Sequence, residues 1–254
     1  MLVISYGITK SGSTLAFELA KAVLSFSGFP QDRLAEHLLT PGHNINFTTE
    51  PNLETIDAIL GSLAPGQRIV LKTHRAPPAE ERPRLEALCR EGLLKIQVAV
   101  RDPRDICLSL VDAGETARRN GHTAFSRIET LDTALRTVRR QIPNFRFWAS
   151  LKDALLLPYE QCAFETETAV ARISAQLGVV APIDKVRRHV FDCAFTQFNK
   201  GVPNRHAAEM TEADDEKVRD QLADFFRDFV DVGEAGAAPG LAEAPSARLS
   251  LSER

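Results

Sequence analysis

The chain has 254 residues, 44% of them apolar and 26% charged, and a formal net charge of −3. That length is enough for one α/β unit with a large core. The composition is that of an ordinary soluble protein, which excludes collagenous and wholly disordered classes. A slightly acidic balance argues against nucleic acid or an anionic membrane as partner, so any anion site must be local.

The longest apolar runs fall far short of a membrane span, and no transmembrane segment is expected. A strand signal that starts at Leu2 leaves no room for a signal peptide ahead of it. Cys89, Cys107, Cys162 and Cys193 are widely spaced and form neither a metal nor a redox pattern. They read as reduced thiols, mostly in the core of a cytoplasmic protein.

Leu2 to Tyr6 (LVISY) is a short buried-strand signal, and GITKSGST, Gly7 to Thr14, is a loop. Leu15, Leu19, Ala22 and Val23 then recur at helical spacing. Strand, glycine-containing loop and helix form the layout of a phosphate cradle, because loop and first-turn N–H groups point at an anion and the helix dipole favours its charge. The spacing nearly matches the nucleotide-binding pattern G-x-x-x-x-G-K-[ST]. Gly7, Gly12 and Thr14 fit, but Ser13 stands where the lysine belongs and Lys10 lies inside the loop. The stretch is therefore either a chance glycine pair or a cradle for a phosphate-bearing ligand other than ATP with Mg²⁺.

Ser25 to Pro51 is rich in turn residues, with a short helix possible over Gln31–Leu39 and irregular loop after it. Leu53 to Leu63 has the spacing of an amphipathic helix. Arg68 to His74 (RIVLKTH) is a strand whose end presents Lys72 and His74. Pro77 and Pro78 start a charged helix that runs to about Glu91. Leu93 to Val100 is the strongest strand signal, and a helix begins at Pro103 behind RDPRD. Gly114 and Asn120–Gly121 are expected to break the chain beyond that helix start. Ile128 to Ser150 is helical, kinked or split at Pro143. Ala154 to Glu160 is a fourth strand. Helices come next at about Thr166–Leu177, with Gly178 as cap, and at Ile183–Phe191. Phe198 to Asn204 is a loop, Thr211 caps a long helix to Val230, and residues 232–254 read as a disordered tail behind a single domain over 1–231.

Strands alternating with helices predict a parallel sheet covered on both faces, a three-layer α/β/α arrangement of P-loop type. Ligands bind such sheets at the carboxyl ends of the strands. That rule gathers the Gly7 loop, Lys72–His74, Arg101–Asp105 and Tyr159–Glu160 into one cationic pocket on an acidic protein.

These residues resemble those of the sulfotransferases that use 3′-phosphoadenosine 5′-phosphosulfate (PAPS), over roughly residues 2 to 225 and in the same order. Lys10 to Leu15 (KSGSTL) is similar to that family's phosphosulfate loop KSGTTW, and Lys72-Thr73-His74 repeats its strand-end KTH. Arg101 and Ser109, eight residues apart, match its 3′-phosphate motif. Tyr159-Glu160 resembles its Y-E strand end, and Asn199-Lys200-Gly201 its late R-K-G loop. Three positions depart from the pattern: Leu15 replaces the adenine-stacking tryptophan, Asn199 the loop arginine, and Asn204-Arg205-His206 the G-D-W.

The resemblance implies a P-loop-like fold, PAPS as sulfuryl donor with PAP as product, no metal, and a hydroxyl-bearing acceptor. It implies that Lys10, Ser11, Gly12, Ser13 and Thr14 hold the phosphosulfate. Arg101, Ser109, Tyr159, Lys200 and Gly201 complete the nucleotide site, and His74, Lys10 and Lys72 are catalytic. The chemistry agrees with those residue types. Sulfuryl transfer, like phosphoryl transfer, depends on positioning and on neutralising charge on the leaving phosphate. A histidine suits the removal of the acceptor's proton, and arginine offers a forked donor to phosphate. Arg101 has the plainer alternative of pairing with Asp102 or Asp105.

Two other functions fit the loop: a small-molecule kinase with a degenerate loop, and a nucleotide-binding protein without transfer activity. The seven arginines from Arg118 to Arg146 read as a solvated face, with attraction of an anionic acceptor such as an acidic glycan or phospholipid as the alternative, and His43 reads as an ordinary loop residue, with a place in the acceptor pocket as its alternative. The remaining histidines share no ligand spacing, so no metal site is expected. Residues 25–60 and 112–127 are the expected acceptor pocket and lid.

Overall fold

The computed structural model describes residues 1–194 and 201–231. Asn199, Lys200 and the expected tail over 232–254 lie outside the described residues. Five strands form one parallel sheet: β1 (Leu2–Gly7), β2 (Phe47–Thr48), β3 (Ile69–Thr73), β4 (Leu94–Val100) and β5 (Leu155–Pro158). Their spatial order is β2-β3-β1-β4-β5, so β1 is central. Its register pairs Ser5 with Lys72 of β3 and with Gln97 of β4, which aligns the ends of the three central strands.

The strands are apolar on both faces because helices cover both faces. Successive side chains alternate, so one face of β1 presents Leu2, Ile4 and Tyr6 and the other Val3. Helices α1 (Ser13–Phe26) and α7 (Thr166–Leu177) cover the Val3 side. The other side packs against α2 (Leu53–Ser62), α3 (Arg82–Arg90), α4 (Pro103–Arg119) and α5 (Leu131–Ala149). Three short helices, α6 (Tyr159–Phe164), α8 (Ile183–Arg188) and α9 (His206–Glu209), and then α10 (Glu212–Gln221), complete the layers.

Most elements form where the periodicity places them, and the main differences have physical reasons. Gly114 does not break α4, which runs on to Arg119. That helix ends at Asn120–Gly121 as expected, with Gly121 at φ 67 and His122 N–H bonded back to Ala117 O. Helix α5 runs unbroken through Pro143, since Val138, Phe145 and Trp148 on either side of it are buried in the core. Strand β5 stops at Pro158, and Tyr159 and Glu160 open α6 instead of ending the strand. Thr211 does cap α10, accepting from Asp214 N–H, but the helix ends at Gln221 because Leu222 departs from helical angles at φ −127. Strand β2 has two residues, too few for any alternation to signal it. Helix α8 ends at Arg188, and the cysteines divide between two buried thiols, Cys107 and Cys162, and the less buried Cys89 and Cys193.

Phe145 anchors the α5 side of the core. Its ring meets Tyr6 at 6.4 Å, Phe225 at 4.9 Å and Phe229 at 4.9 Å, each edge to face. Phe145→Ala is expected to remove about 3–5 kcal/mol of stability. Urea unfolding checks this: the midpoint falls while the slope stays unchanged.

Candidate active site

The loop between β1 and α1 is the floor of the site. Gly12 has φ 83 and caps α1 without any side-chain bond, so the first-turn N–H groups face outward for a ligand. A Cβ there would meet Cδ2 of Tyr159 at 2.6 Å, so the residue must be glycine on two grounds. Lys10 is also in the left-handed region, at φ 73, a conformation that costs a lysine roughly 1–2 kcal/mol. Such strain collects at functional loops. From the far side α5 pins the loop: Gln141 Oε1 accepts from Thr9 N–H at 2.9 Å and from Thr9 Oγ1 at 3.0 Å.

Strand β3 delivers the next two groups. Lys72 is buried, and its Nζ donates to Thr14 Oγ1 at 2.6 Å. Burial, with help from the charge of Lys10, lowers its pKa to about 8, although Glu18 opposes the shift. It therefore stays mostly protonated at neutral pH. Burial likewise lowers the pKa of Lys10, with Arg101 contributing.

His74 Nδ1 lies 2.7 Å from Gly7 O. A carbonyl only accepts, so Nδ1 carries the hydrogen and Nε2 keeps its lone pair. Burial and the charge of Lys72 lower the His74 pKa to about 4, so the ring is neutral at pH 7. Phe47 packs beside it at 5.8 Å between centroids, and His43 packs on Phe47 at 4.2 Å.

Arg101, at the end of β4, lies with its guanidinium 4.1 Å above the Tyr159 ring. It donates to Lys10 O at 3.3 Å and approaches Asp105 at 3.6 Å. Its Nε is buried without a partner among the described residues, as is Ser11 Oγ. Unpaired buried donors are rare and costly; Arg101 lines the cavity, so its Nε marks a place where a ligand's acceptor atom fits, whereas Ser11 Oγ lies packed beside Gly7. Ser109, two turns along α4 from Arg101, is buried at 7% exposure in the same wall.

One cavity of about 680 Å³ collects these groups. Lys10, Gly12, Ser13 and Thr14 of the loop, with Lys72, His74, Arg101, Ser109, Tyr159 and Gly201, all line it. Ser11 lies just behind, fully buried. Of the expected site residues, Lys200 alone lies outside the described residues. Leu15, in the place of the expected tryptophan, is also in the lining.

Some functional groups escape sequence reasoning. Asp105 is wholly buried and binds the later chain to α4. Its Oδ1 accepts from His206 N–H at 2.9 Å and faces His206 Nδ1 at 2.9 Å. Asp102 instead caps α4 and holds Arg104, so only Asp105 faces Arg101. Buried Arg205 bonds Asp112 at 2.8 Å and Glu209 at 2.7 Å at the cavity edge. Arg205 and Glu209 lie four apart, as do Arg101 and Asp105, a spacing visible in the sequence. The Asp105–His206 and Asp112–Arg205 pairs span about a hundred residues and left no local signal. Among the described residues no group of three His, Cys, Asp or Glu side chains could hold a metal ion, and no helix is long and apolar enough to cross a membrane.

No protein-family model matches the chain, and no curated protein matches it significantly. Among solved structures, mouse sulfotransferase SULT7A1 complexed with PAP is similar over 92% of this chain and 87% of that one, with 16% identity and a TM-score of 0.58. A sulfotransferase from Alicyclobacillus acidocaldarius is matched over 89% and 90% at 15% identity, with a TM-score of 0.40, too loose a likeness to carry an argument. At such identity the first likeness defines the fold. The chain has the three-layer α/β/α, P-loop-like fold of sulfotransferases, as the order of its strands and loops predicts.

The His74 pKa has a consequence for stability. In the unfolded chain the ring takes a proton near pH 6.5, but in the folded chain only near about pH 4. Acidification across that window therefore favours unfolding: the contribution is fully present above pH 6.5 and lost as pH falls toward 4. Thermal melts from pH 7.5 to 4.5 are expected to show a smaller loss of Tm in His74→Asn than in wild type.

Proposed function

We propose that the protein transfers the sulfuryl group of PAPS to an acceptor hydroxyl. One observation carries the reading: a histidine held neutral, with its Nε2 lone pair free, shares a cavity with a protonated lysine locked onto the first turn of an uncapped helix. Base, cation and anion cradle are what sulfuryl transfer requires of a protein. The PAP named in the mouse structure's description adds support for the same donor here.

In this reading Gly12, Ser13 and Thr14 offer N–H and hydroxyl donors to the phosphosulfate, while Ser11, whose N–H donates to Ile8 O at 2.9 Å, shapes the loop behind them. Lys10 and Lys72 balance the charge that develops on the leaving phosphate. Arg101 and Ser109 hold the 3′-phosphate, joined by Gly201 and Lys200, and Tyr159 fixes the plane of Arg101. His74 Nε2 takes the acceptor's proton. Burial is the main cause of its low pKa and the charge of Lys72 the second, and an anion bound at Lys72 offsets that second cause.

A Mg²⁺-dependent kinase is the weaker reading. In nucleotide loops of that class the last hydroxyl faces the metal, whereas here Thr14 Oγ1 accepts from Lys72. A nucleotide-binding protein without transfer activity leaves the polarised His74 without a role.

Isothermal titration with PAP in the presence of EDTA tests the donor site. Wild type is expected to bind, and Arg101→Ala to lose roughly ten- to a hundredfold in affinity, the worth of a charged hydrogen-bond pair. Absence of wild-type binding sinks the reading. His74→Ala is expected to lose about 10²–10⁴-fold in turnover of labelled PAPS with a panel of alcohols and phenols, while still binding PAP. Wild-type rates in that variant would remove His74 from the base role.

A further inference from the structure

Gly201, Val202 and Arg205 form one wall of the cavity. The residues that hold this wall are on α4. Asp105, Ser109 and Asp112 follow one another at spacings of four and three, so they share one face of that helix. Ser109 lines the cavity, and the carboxylates on either side of it take hold of the wall. Asp112 accepts from the Arg205 guanidinium at 2.8 Å. Asp105 binds the backbone: its Oδ1 accepts from His206 N–H at 2.9 Å and its Oδ2 from Arg205 N–H at 3.4 Å. The same Oδ1 faces His206 Nδ1 at 2.9 Å. A carboxylate only accepts, so that ring nitrogen carries the hydrogen.

Asp105 also reaches the nucleotide side. Its Oδ2 lies 3.6 Å from Nη2 of Arg101, while Nη1 of Arg101 donates to Lys10 O at 3.3 Å. These two contacts orient the guanidinium and leave Nε as the donor without a partner among the described residues. One wholly buried carboxylate thus touches both the wall and the arginine. Its charge works against an anion site, because a carboxylate beside Arg101 repels a bound phosphate. By charge alone, neutralising Asp105 would tighten nucleotide binding. The donors gathered around it argue for the opposite sign.

We propose that Asp105 is a positioning residue of the donor site and that His206 is its latch. Together they hold residues 201–205 against α4 and aim Arg101 at the 3′-phosphate. The proposal rests on the sulfuryl-transfer reading. His206 belongs to the Asn204-Arg205-His206 segment, where the chain departs from the sequence pattern it otherwise follows, so this half of the pairing is the chain's own.

Isothermal titration of the full-length protein with PAP, and with adenosine 5′-phosphate, which lacks the 3′-phosphate, tests the proposal. Asp105→Asn keeps the shape and removes the charge. It is expected to weaken PAP binding roughly ten- to a hundredfold, the effect of losing hydrogen bonds to a charged group, and to leave adenosine 5′-phosphate within about threefold of wild type. His206→Ala is expected to weaken PAP binding about tenfold. His206→Asn, whose Nδ2 stands where the ring Nδ1 stood, should recover most of that loss. Asp105→Asn and His206→Ala should both speed amide hydrogen exchange over residues 201–209. Tighter or unchanged PAP binding in Asp105→Asn overturns the proposal, since the carboxylate then acts by its charge or not at all. An equal loss for both nucleotides also overturns it, because that marks general damage to the fold. If Asp105→Asn does not fold, the His206 variants decide: unchanged PAP binding in His206→Ala, or no recovery in His206→Asn, removes the latch. Wild type that binds no PAP sinks the sulfuryl-transfer reading and this proposal with it, whereas wild-type binding with unaffected variants sinks this proposal alone.

Discussion

The hydrogen bond from Lys72 Nζ to Thr14 Oγ1, 2.6 Å long, joins the end of β3 to the first turn of α1. It places a buried positive charge at a helix terminus whose amides already face outward. Two like-signed features, a helix N-terminus and an ammonium group, are thereby held together without a counter-anion on top of them. Glu18, one turn further along α1, offsets part of that charge and opposes the fall in the Lys72 pKa. What remains is an electrostatic demand for an anion, and the cavity lies where that demand points.

The neighbouring groups depend on that charge. His74 is two residues along the same strand end, so burial and Lys72 together keep its ring neutral. Its tautomer is set by Gly7 O, which comes from the adjacent central strand. Arg101 reaches the loop from β4 on the other side of β1, braced by the Tyr159 ring and by Asp105. The parallel register of β3, β1 and β4 thus brings three cationic or polarised side chains to one sheet edge, and the strained loop at Lys10 is held because α5 pins it through Gln141.

Much of this was legible in the chain. Short apolar runs marked four of the five strands, and the β2 edge strand was too short to register. The loop residues, Lys72, His74, Arg101, Ser109 and Tyr159 stand out by order and spacing, and they gather at one cavity. Gly114 shows where reading fails. As a sequence signal it meant a broken helix, but in the fold it is the notch that lets residues 125–128 approach α4. Tyr159 is a second case, since a strand end and a helix start look alike when one residue separates them.

The sequence by itself determined the layer architecture, the position of the glycine-containing loop between the first strand and helix, and the identities of the cationic residues, because those depend on local periodicity and on residue chemistry. Only the tertiary structure decided what each of them faces. Burial lowers the Lys72 and His74 pKa values, Asp105 reaches His206 across about a hundred residues, and Gln141 buttresses the loop from a helix with no marking of its own. The reason is physical: desolvation and long-range pairing depend on which surfaces meet, and no local pattern of residues encodes that.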